Sequence, residues 1–355
     1  MGWGGQELRI VRECDWFQKN SFSIVCSILV ANGSQFESRA RLNNVEIQTG
    51  PIDKKSIGGL WFVWKFLSVQ KPDVVVTHSS TDSWLVTLAV FFLSDRPKVI
   101  RMRHVSAPIS GGLPTKWMYR RAEFIVTTSQ AIKKHVQEII QISEIRVLNI
   151  PTGLDLNSTF LPVDTDKRCK ARAQFGLPAD RLIFGMLSTL RSWKGHQYVL
   201  DALESFPDVT LLIGGDGPQE QNLKRIVLEK KLSDRVVFLG YMENPLPLLM
   251  ACDIFLQPSY ANEGLSQSLM QAMAMGLPVI ASDIGGLNEM IVSGKNGMLV
   301  PPKDSAELVI VLKALIEDKA LRDSLGYSAR AWAERSFSIE SMGKQMQVLI
   351  ERCVN

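Results

Sequence analysis

At 355 residues the chain is longer than one hydrophobic core comfortably serves, and two domains are expected. Lys and Arg total 40 against 36 Asp and Glu, a formal charge of +4, too small an excess to imply a nucleic-acid partner. The five cysteines, Cys14, Cys26, Cys169, Cys252 and Cys353, include no Cys-x-x-Cys pair, which argues against a zinc knuckle or a disulfide framework and fits a reducing cytoplasm.

The opening Met1-Gly2-Trp3-Gly4-Gly5-Gln6-Glu7 has neither the basic nor the apolar region of a signal peptide, so a cytoplasmic location is expected. Short β-branched runs then alternate with helical patterns, as in repeated βα units of a parallel sheet. Strands are predicted at 23–29, 73–77, 98–101, 124–127 and 145–150. The apolar runs 57–67 and 84–93 are too short to cross a bilayer and read as core helices. The first of them, with Lys54 and Lys55 before it and Lys65 inside it, also fits an amphipathic helix lying on a membrane surface, which would make the protein peripheral at the inner face of the membrane. Residues 151–180 contain Pro151, Gly153, Pro162, Gly176 and Pro178 and read as a linker with a short helix. A second series of strands follows at 182–187, 209–214, 236–239, 254–256 and 278–281. The expected domains are therefore 1–150 and 181–335, with ligands beyond the carboxyl ends of their strands.

Three motifs stand at such ends. Arg191-Ser192-Trp193-Lys194 places two cations on one loop, a pairing that suits a diphosphate because Arg can grip phosphate oxygens bidentately and Lys acts as a point charge. An isolated Arg-x-x-Lys is more often a solvated loop. Gly214-Gly215-Asp216-Gly217-Pro218 can approach a phosphate, yet it lacks the dinucleotide-binding spacing and reads equally as a turn. In the third, Asn262, Glu263 and Gly264 precede Leu265, Leu269, Ala272 and Met273, whose spacing is helical, until Gly276-Leu277-Pro278 stops the helix before a strand. Its first-turn N–H groups favour an anion, and Glu263 and Gln271 fall about two turns apart on one face. Taken alone, a Glu there is more often a capping or dipole partner.

In order, Gly4-Gly5-Gln6-Glu7, His104, Pro151-Thr152-Gly153-Leu154-Asp155, Arg191 with Lys194-Gly195-His196, Gly215-Asp216-Gly217-Pro218, the 263–279 stretch, Gly285-Gly286-Leu287-Asn288-Glu289 and the 294–300 stretch resemble the retaining glycosyltransferases of family 4. The resemblance covers nearly the whole chain. It implies the α/β GT-B fold, two Rossmann-like parallel-sheet domains facing across a cleft, with residues 336–355 as a helix returning to the first. It further implies transfer of a hexosyl residue from a nucleotide-diphosphate sugar donor to a glycan or lipid-linked acceptor, in cell-surface polysaccharide or lipopolysaccharide synthesis, with no cofactor and no metal. Arg191 and Lys194 match the pair that stabilises the departing diphosphate, and Glu263 the acidic residue beside the donor sugar. Gly264, Leu265 and Ser266 would meet sugar hydroxyls and phosphate, with Gly215, Gly217, Gly4 and Gly5 also on the donor. His104 resembles the histidine near the transferred sugar. Arg101 and Arg103 flank it on the acceptor side, where with Lys116, Arg120 and Arg121 they could meet an anionic acceptor.

Two departures from the family accompany this. Gln271 stands where a second Glu usually accepts hydrogen bonds from the ribose, a weaker acceptor that still allows nucleotide binding. The chain also opens directly on the Gly-Gly stretch, so the first strand of the N-terminal sheet is expected to be missing. The alternatives are a sugar-nucleotide epimerase or hydrolase on the same scaffold, which would need a carboxylate pair, and a weakened nucleotide-binding homologue, against which Arg191 and Lys194 together argue.

Overall fold

The computed structural model describes residues 5–20, 24–36, 46–104, 108–261 and 263–355. The chain divides into two compact units, Met1–Gly153 with Phe337–Asn355, and Leu154–Ser336.

The first unit runs α1 (Gly5–Asn20), β1 (Ser27–Ala31), β2 (Glu46–Gly50), α2 (Ile57–Gln70), β3 (Val74–Thr77), α3 (Ser80–Phe91), β4 (Lys98–Arg103), α4 (Leu113–Arg121), β5 (Phe124–Thr127), α5 (Gln130–Ile140) and β6 (Val147–Asn149). Strands β3 to β6 form a parallel sheet in sequence order. Side chains of a strand alternate between its faces, and here they supply two cores. Val99, Ile125 and Val147 join Val63 and Leu67 of α2 and Leu85 of α3 in one. Ile100, Met102 and Val126 join Trp16 and Phe17 of α1 and Met342, Met346 and Leu349 of the C-terminal helix Ile339–Val354 in the other. Gly343 lets that helix approach α1, since a Cβ there would lie 2.0 Å from the Trp16 ring. The Trp16 indole N–H donates to Glu340 at 2.8 Å.

Three expectations for the N-terminal end change. Gly5, expected at the donor as part of a Gly-Gly stretch, opens helix α1, while Gly4 lies outside the described residues. The strand expected at 23–29 sits later, at Ser27–Ala31, with Ser23 outside the described residues. It pairs in parallel only with β2, and among the described residues no strand joins this pair to the four-stranded sheet.

The second unit runs α6 (Thr165–Gln174), β7 (Leu182–Leu187), α7 (His196–Leu203), β8 (Val209–Gly214), α8 (Glu220–Glu229), β9 (Val236–Gly240), α9 (Leu246–Ala251), β10 (Ile254–Gln257), α10 (Gln267–Ala274), β11 (Val279–Ser282), α11 (Leu287–Met290), β12 (Met298–Val300), α12 (Ser305–Glu317) and α13 (Lys319–Ser336). Its parallel sheet has the order β12-β11-β10-β7-β8-β9. The chain builds outward from β7 to β9, then returns to β10 on the other side of β7. Arg330 of α13 donates to the carbonyls of Leu156, Phe160 and Ala274, tying the segment before α6 to the end of α10.

Candidate active site

Ligands of open α/β sheets bind beyond the carboxyl ends of the strands, where the strand order reverses. In the second unit that place lies between β7 and β10, whose last residues are Leu187 and Gln257. Six of the residues singled out above, Arg191, Lys194, Glu263, Gly264, Leu265 and Ser266, lie on the loops that leave them.

The loop after β7 is laid against the Gly-rich turn after β8. Ser188 N–H donates to the Gly214 carbonyl at 3.0 Å, and Leu190 N–H to that of Asp216 at 2.7 Å. A Cβ on Gly215 would stand 1.9 Å from the Ser188 carbonyl oxygen, and one on Gly217 2.7 Å from that of Leu190, with φ of +123° and +151°. Both glycines therefore serve to let this turn hold the loop that carries Arg191 and Lys194.

A 3₁₀ turn over Ser192–Lys194 ends at Gly195, in the left-handed region at φ +76°. Its missing Cβ would lie 2.0 Å from the Pro258 carbonyl oxygen, and the Tyr260 N–H donates to the Trp193 carbonyl at 2.8 Å. The loops after β7 and β10 thus meet backbone to backbone, and Lys194 donates to Glu263 Oε1. That carboxylate is 7% exposed. It also accepts from the Ser259 hydroxyl at 2.6 Å and the Gln257 amide at 3.5 Å. The Gln257 oxygen in turn accepts from Ser266 Oγ at 3.2 Å and Ser268 Oγ at 3.1 Å. Each buried polar group of this network has a partner, which fixes the position of the acid. Gly285 and Gly286 complete the support, because a Cβ on either would stand within 2.6 Å of the backbone of Glu263 or Gly264.

Helix α10 begins later than its sequence spacing suggested. Ser266 is the N-cap, accepting from Leu269 N–H, so Glu263 lies in the preceding loop with Gly264 and Leu265 and shares no helix face with Gln271. Asn262 lies outside the described residues. Residues 267 and 268 stand in the first turn, where N–H groups have no intrahelical acceptor. Gln271 is inside the helix, 5% exposed, and its side chain has no hydrogen-bond partner among the described residues. Arg191 is exposed, its guanidinium 5.2 Å from the Trp193 ring centroid. His196, at the start of α7, meets Ser188 Oγ at 3.3 Å. Burial, and then the charge of Lys194, lower its pKa to about 4 and keep the imidazole neutral.

The remaining candidates belong to the first unit. His104 follows β4, and its Nε2 lies 3.1 Å from Nδ1 of His78, with the rings stacked 15° from parallel. Burial, with the charge of Arg9, brings His78 to about 3, and burial, with the charges of His78 and Arg9, holds His104 well below the ordinary histidine range, so the pair is uncharged at neutral pH. One ring nitrogen donates and the other accepts. Arg101 is only 4% exposed, its guanidinium 4.1 Å from the Tyr119 ring centroid. Arg103 is half-buried at the end of β4. Arg120 donates to the Ile140 carbonyl at 3.1 Å.

Sequence reasoning passed over Gln257, Ser259, Ser268 and His78. Gln257 left a signal, as an amide ending the otherwise apolar strand Ile-Phe-Leu-Gln at a carboxyl end. His78 left a similar one just after Val-Val-Val-Thr.

Comparison with known proteins agrees with this architecture. The model for glycosyltransferase family 4 matches residues 3–158 and that for glycosyl transferases group 1 matches 167–332. An uncharacterized glycosyltransferase of Methanocaldococcus jannaschii is 26% identical over 90% of this chain and 87% of its own. The UDP-Gal:α-D-GlcNAc-diphosphoundecaprenol α-1,3-galactosyltransferase of Escherichia coli is 28% identical over 75% of this chain and 72% of its own. The structure of Anabaena HepE in complex with UDP-glucose superposes with a TM-score of 0.84 at 23% identity, covering 99% of this chain and 97% of that one. With both halves matched and the sheets of two Rossmann-like units in place, the chain belongs to glycosyltransferase family 4, the group 1 glycosyl transferases of GT-B fold.

Proposed function

We propose that the chain transfers a hexosyl residue from a nucleotide-diphosphate sugar to a glycan or lipid-linked acceptor of the cell surface, with retention at the anomeric carbon and without a metal. The Lys194–Glu263 pair, built where the strand order reverses, is the observation that carries this reading. An ammonium group has three donors, so Lys194 can hold Glu263 and still meet a diphosphate. Arg191 on the same turn adds a second positive charge, and the first turn of α10 adds backbone N–H groups. These groups oppose the charge that builds as the bond from the anomeric carbon to the diphosphate breaks. The acceptor oxygen forms its bond on the face the diphosphate leaves, and the diphosphate takes the acceptor proton. The protein then contributes orientation and charge stabilisation. Gln271 is assigned to the ribose hydroxyls and His104 to the transferred sugar, both on the family's pattern alone. The E. coli relative's name specifies a UDP-sugar and a lipid-diphosphate acceptor, and HepE binds UDP-glucose, so uridine donors come first.

The test is titration of the purified chain with UDP-, GDP- and ADP-sugars in EDTA, followed by nucleoside diphosphate release with and without glycan and lipid-diphosphate acceptors. Binding of one donor and release that requires an acceptor are expected. Turnover without any acceptor would instead mean a hydrolase or epimerase, and binding without turnover a weakened homologue.

A further inference from the structure

The first unit carries an apolar surface that its own core does not use. Helix α2 has a single charged residue, Lys65, in Ile57–Gln70. It buries Gly59, Val63 and Leu67. Its opposite face exposes Ile57 at 88%, Trp61 at 59%, Trp64 and Val69. The run therefore has an apolar face on each side, and among the described residues only one is covered.

Around that face the aromatic rings carry cations. Lys65 lies 5.3 Å from the Trp61 ring centroid, and Lys55 lies 5.5 Å from that of Trp84 on α3. Trp84 stacks with Trp117 of α4 at 6.4 Å, and Arg121 reaches both Trp117 and the exposed Phe91. Four of the eight tryptophans of the chain lie on these three helices. Lys54 and Lys55 are exposed just before α2, beside the exposed Asp53, and neither α2 nor α4 contains an acidic residue. Tryptophans at the rim of an apolar face, with lysines and arginines able to extend their charge past it, suit the boundary between acyl chains and headgroups. Among the described residues no helix is long and apolar enough to cross a membrane, and α2 is about 21 Å long against about 30 Å of hydrocarbon.

We propose that the exposed face of α2, with Trp61 and Trp64 as anchors and Lys54, Lys55 and Lys65 as charges, docks this unit on an anionic lipid surface. The flank, where Lys54, Lys55 and Lys65 outnumber Asp53 and neither α2 nor α4 carries an acid, selects a lipid surface over a second copy of the chain, which would bring net like charges together. The inference does not depend on the transferase reading, because it concerns adsorption and not turnover.

The experiment is co-sedimentation of the full chain with vesicles of phosphatidylcholine alone or mixed with phosphatidylglycerol, together with quenching of tryptophan emission by brominated acyl chains. Binding to the mixed vesicles, weakened by salt, with quenching, is expected. Trp61→Ser with Trp64→Ser removes only exposed rings and should weaken binding at least about tenfold without changing far-ultraviolet circular dichroism. Lys54→Gln with Lys55→Gln, which leaves every tryptophan in place, should weaken it by about tenfold or more. Failure of the wild-type chain to bind either vesicle would overturn the proposal, as would equal binding to both or unchanged binding by folded variants. A dimer in light scattering that the tryptophan variant dissolves would assign the face to a second copy instead.

Discussion

Gly195→Ala is the sharpest test of how the candidate site is held together. Gly195 sits at φ +76°, and an alanine Cβ there would stand 2.0 Å from the Pro258 carbonyl oxygen, with the Pro258 carbonyl carbon at 2.8 Å. The left-handed conformation alone costs an L-residue about 1–2 kcal/mol. Relief of the contact requires the loops after β7 and β10 to part by about 1 Å, which stretches the hydrogen bond between Trp193 and Tyr260, worth about 1 kcal/mol, and draws Lys194 from Glu263. A total near 3 kcal/mol follows, and a displacement of that size at reacting groups costs about 100-fold in rate. Gly176→Ala is the control, since Gly176 has φ +63° and nothing within 4 Å of its would-be Cβ. Thermal unfolding and nucleoside diphosphate release, measured on both variants, separate backbone strain from the collision. Gly176→Ala should lose about 1–2 kcal/mol and keep its turnover. If Gly195→Ala behaves no differently, the backbone contact between the loops does not position Lys194.

Four further outcomes are expected. Lys194→Ala should lower turnover about 100- to 1000-fold and also lower the unfolding temperature, because it leaves the Glu263 carboxylate buried without its cation. Arg191→Ala should lower turnover with the unfolding temperature unchanged, its side chain being exposed, and wild-type rates in either variant would remove that residue from the diphosphate contact. Gln271→Glu should keep or improve nucleotide affinity in calorimetry while destabilising the unliganded chain, since a carboxylate would be buried where the amide has no partner among the described residues; lost binding would refute the ribose assignment. For His78 the folded pKa of about 3 lies below the unfolded value near 6.5, so the unfolded chain takes up a proton first as the pH falls. Its contribution to stability is therefore complete above about pH 6.5 and shrinks toward pH 3, by about 1–2 kcal/mol at pH 5, and His78→Gln should show a shallower loss of stability between pH 7 and pH 5.

The strands of the second unit were legible because each is a short apolar, β-branched run bounded by turn residues. Leu182–Leu187 and Val209–Gly214 fall where their composition puts them. At the other end of the chain, periodicity carried less. Glu46–Gly50 reads Glu-Ile-Gln-Thr-Gly, a polar strand with one neighbour and little burial, so no apolar run announces it. Gly5 is placed at the donor by resemblance alone, while helix α1 begins there and is fixed by distant packing, with Trp16 against Gly343 and Arg9 donating to the Ile150 carbonyl at 2.6 Å. Contacts of that range leave no local spacing to read.

The candidate site divides along the same line. Arg191, Lys194 and Glu263 were legible as charges beyond strand ends, where ligands of open α/β sheets bind. What holds them was not, because the supporting residues are glycines whose function is an absent side chain and amides and hydroxyls satisfied only in three dimensions. From composition Gly215 and Gly217 read equally as a phosphate approach or a turn, and the geometry shows them seating the Ser188–Leu190 backbone. Gln257 reaches Ser259, Ser266 and Ser268 through a single amide, and from there Glu263. Gln257→Leu, which keeps the strand but removes the amide, should thus weaken Glu263 placement without touching any residue of the Arg-x-x-Lys turn, and turnover should fall while the fold remains.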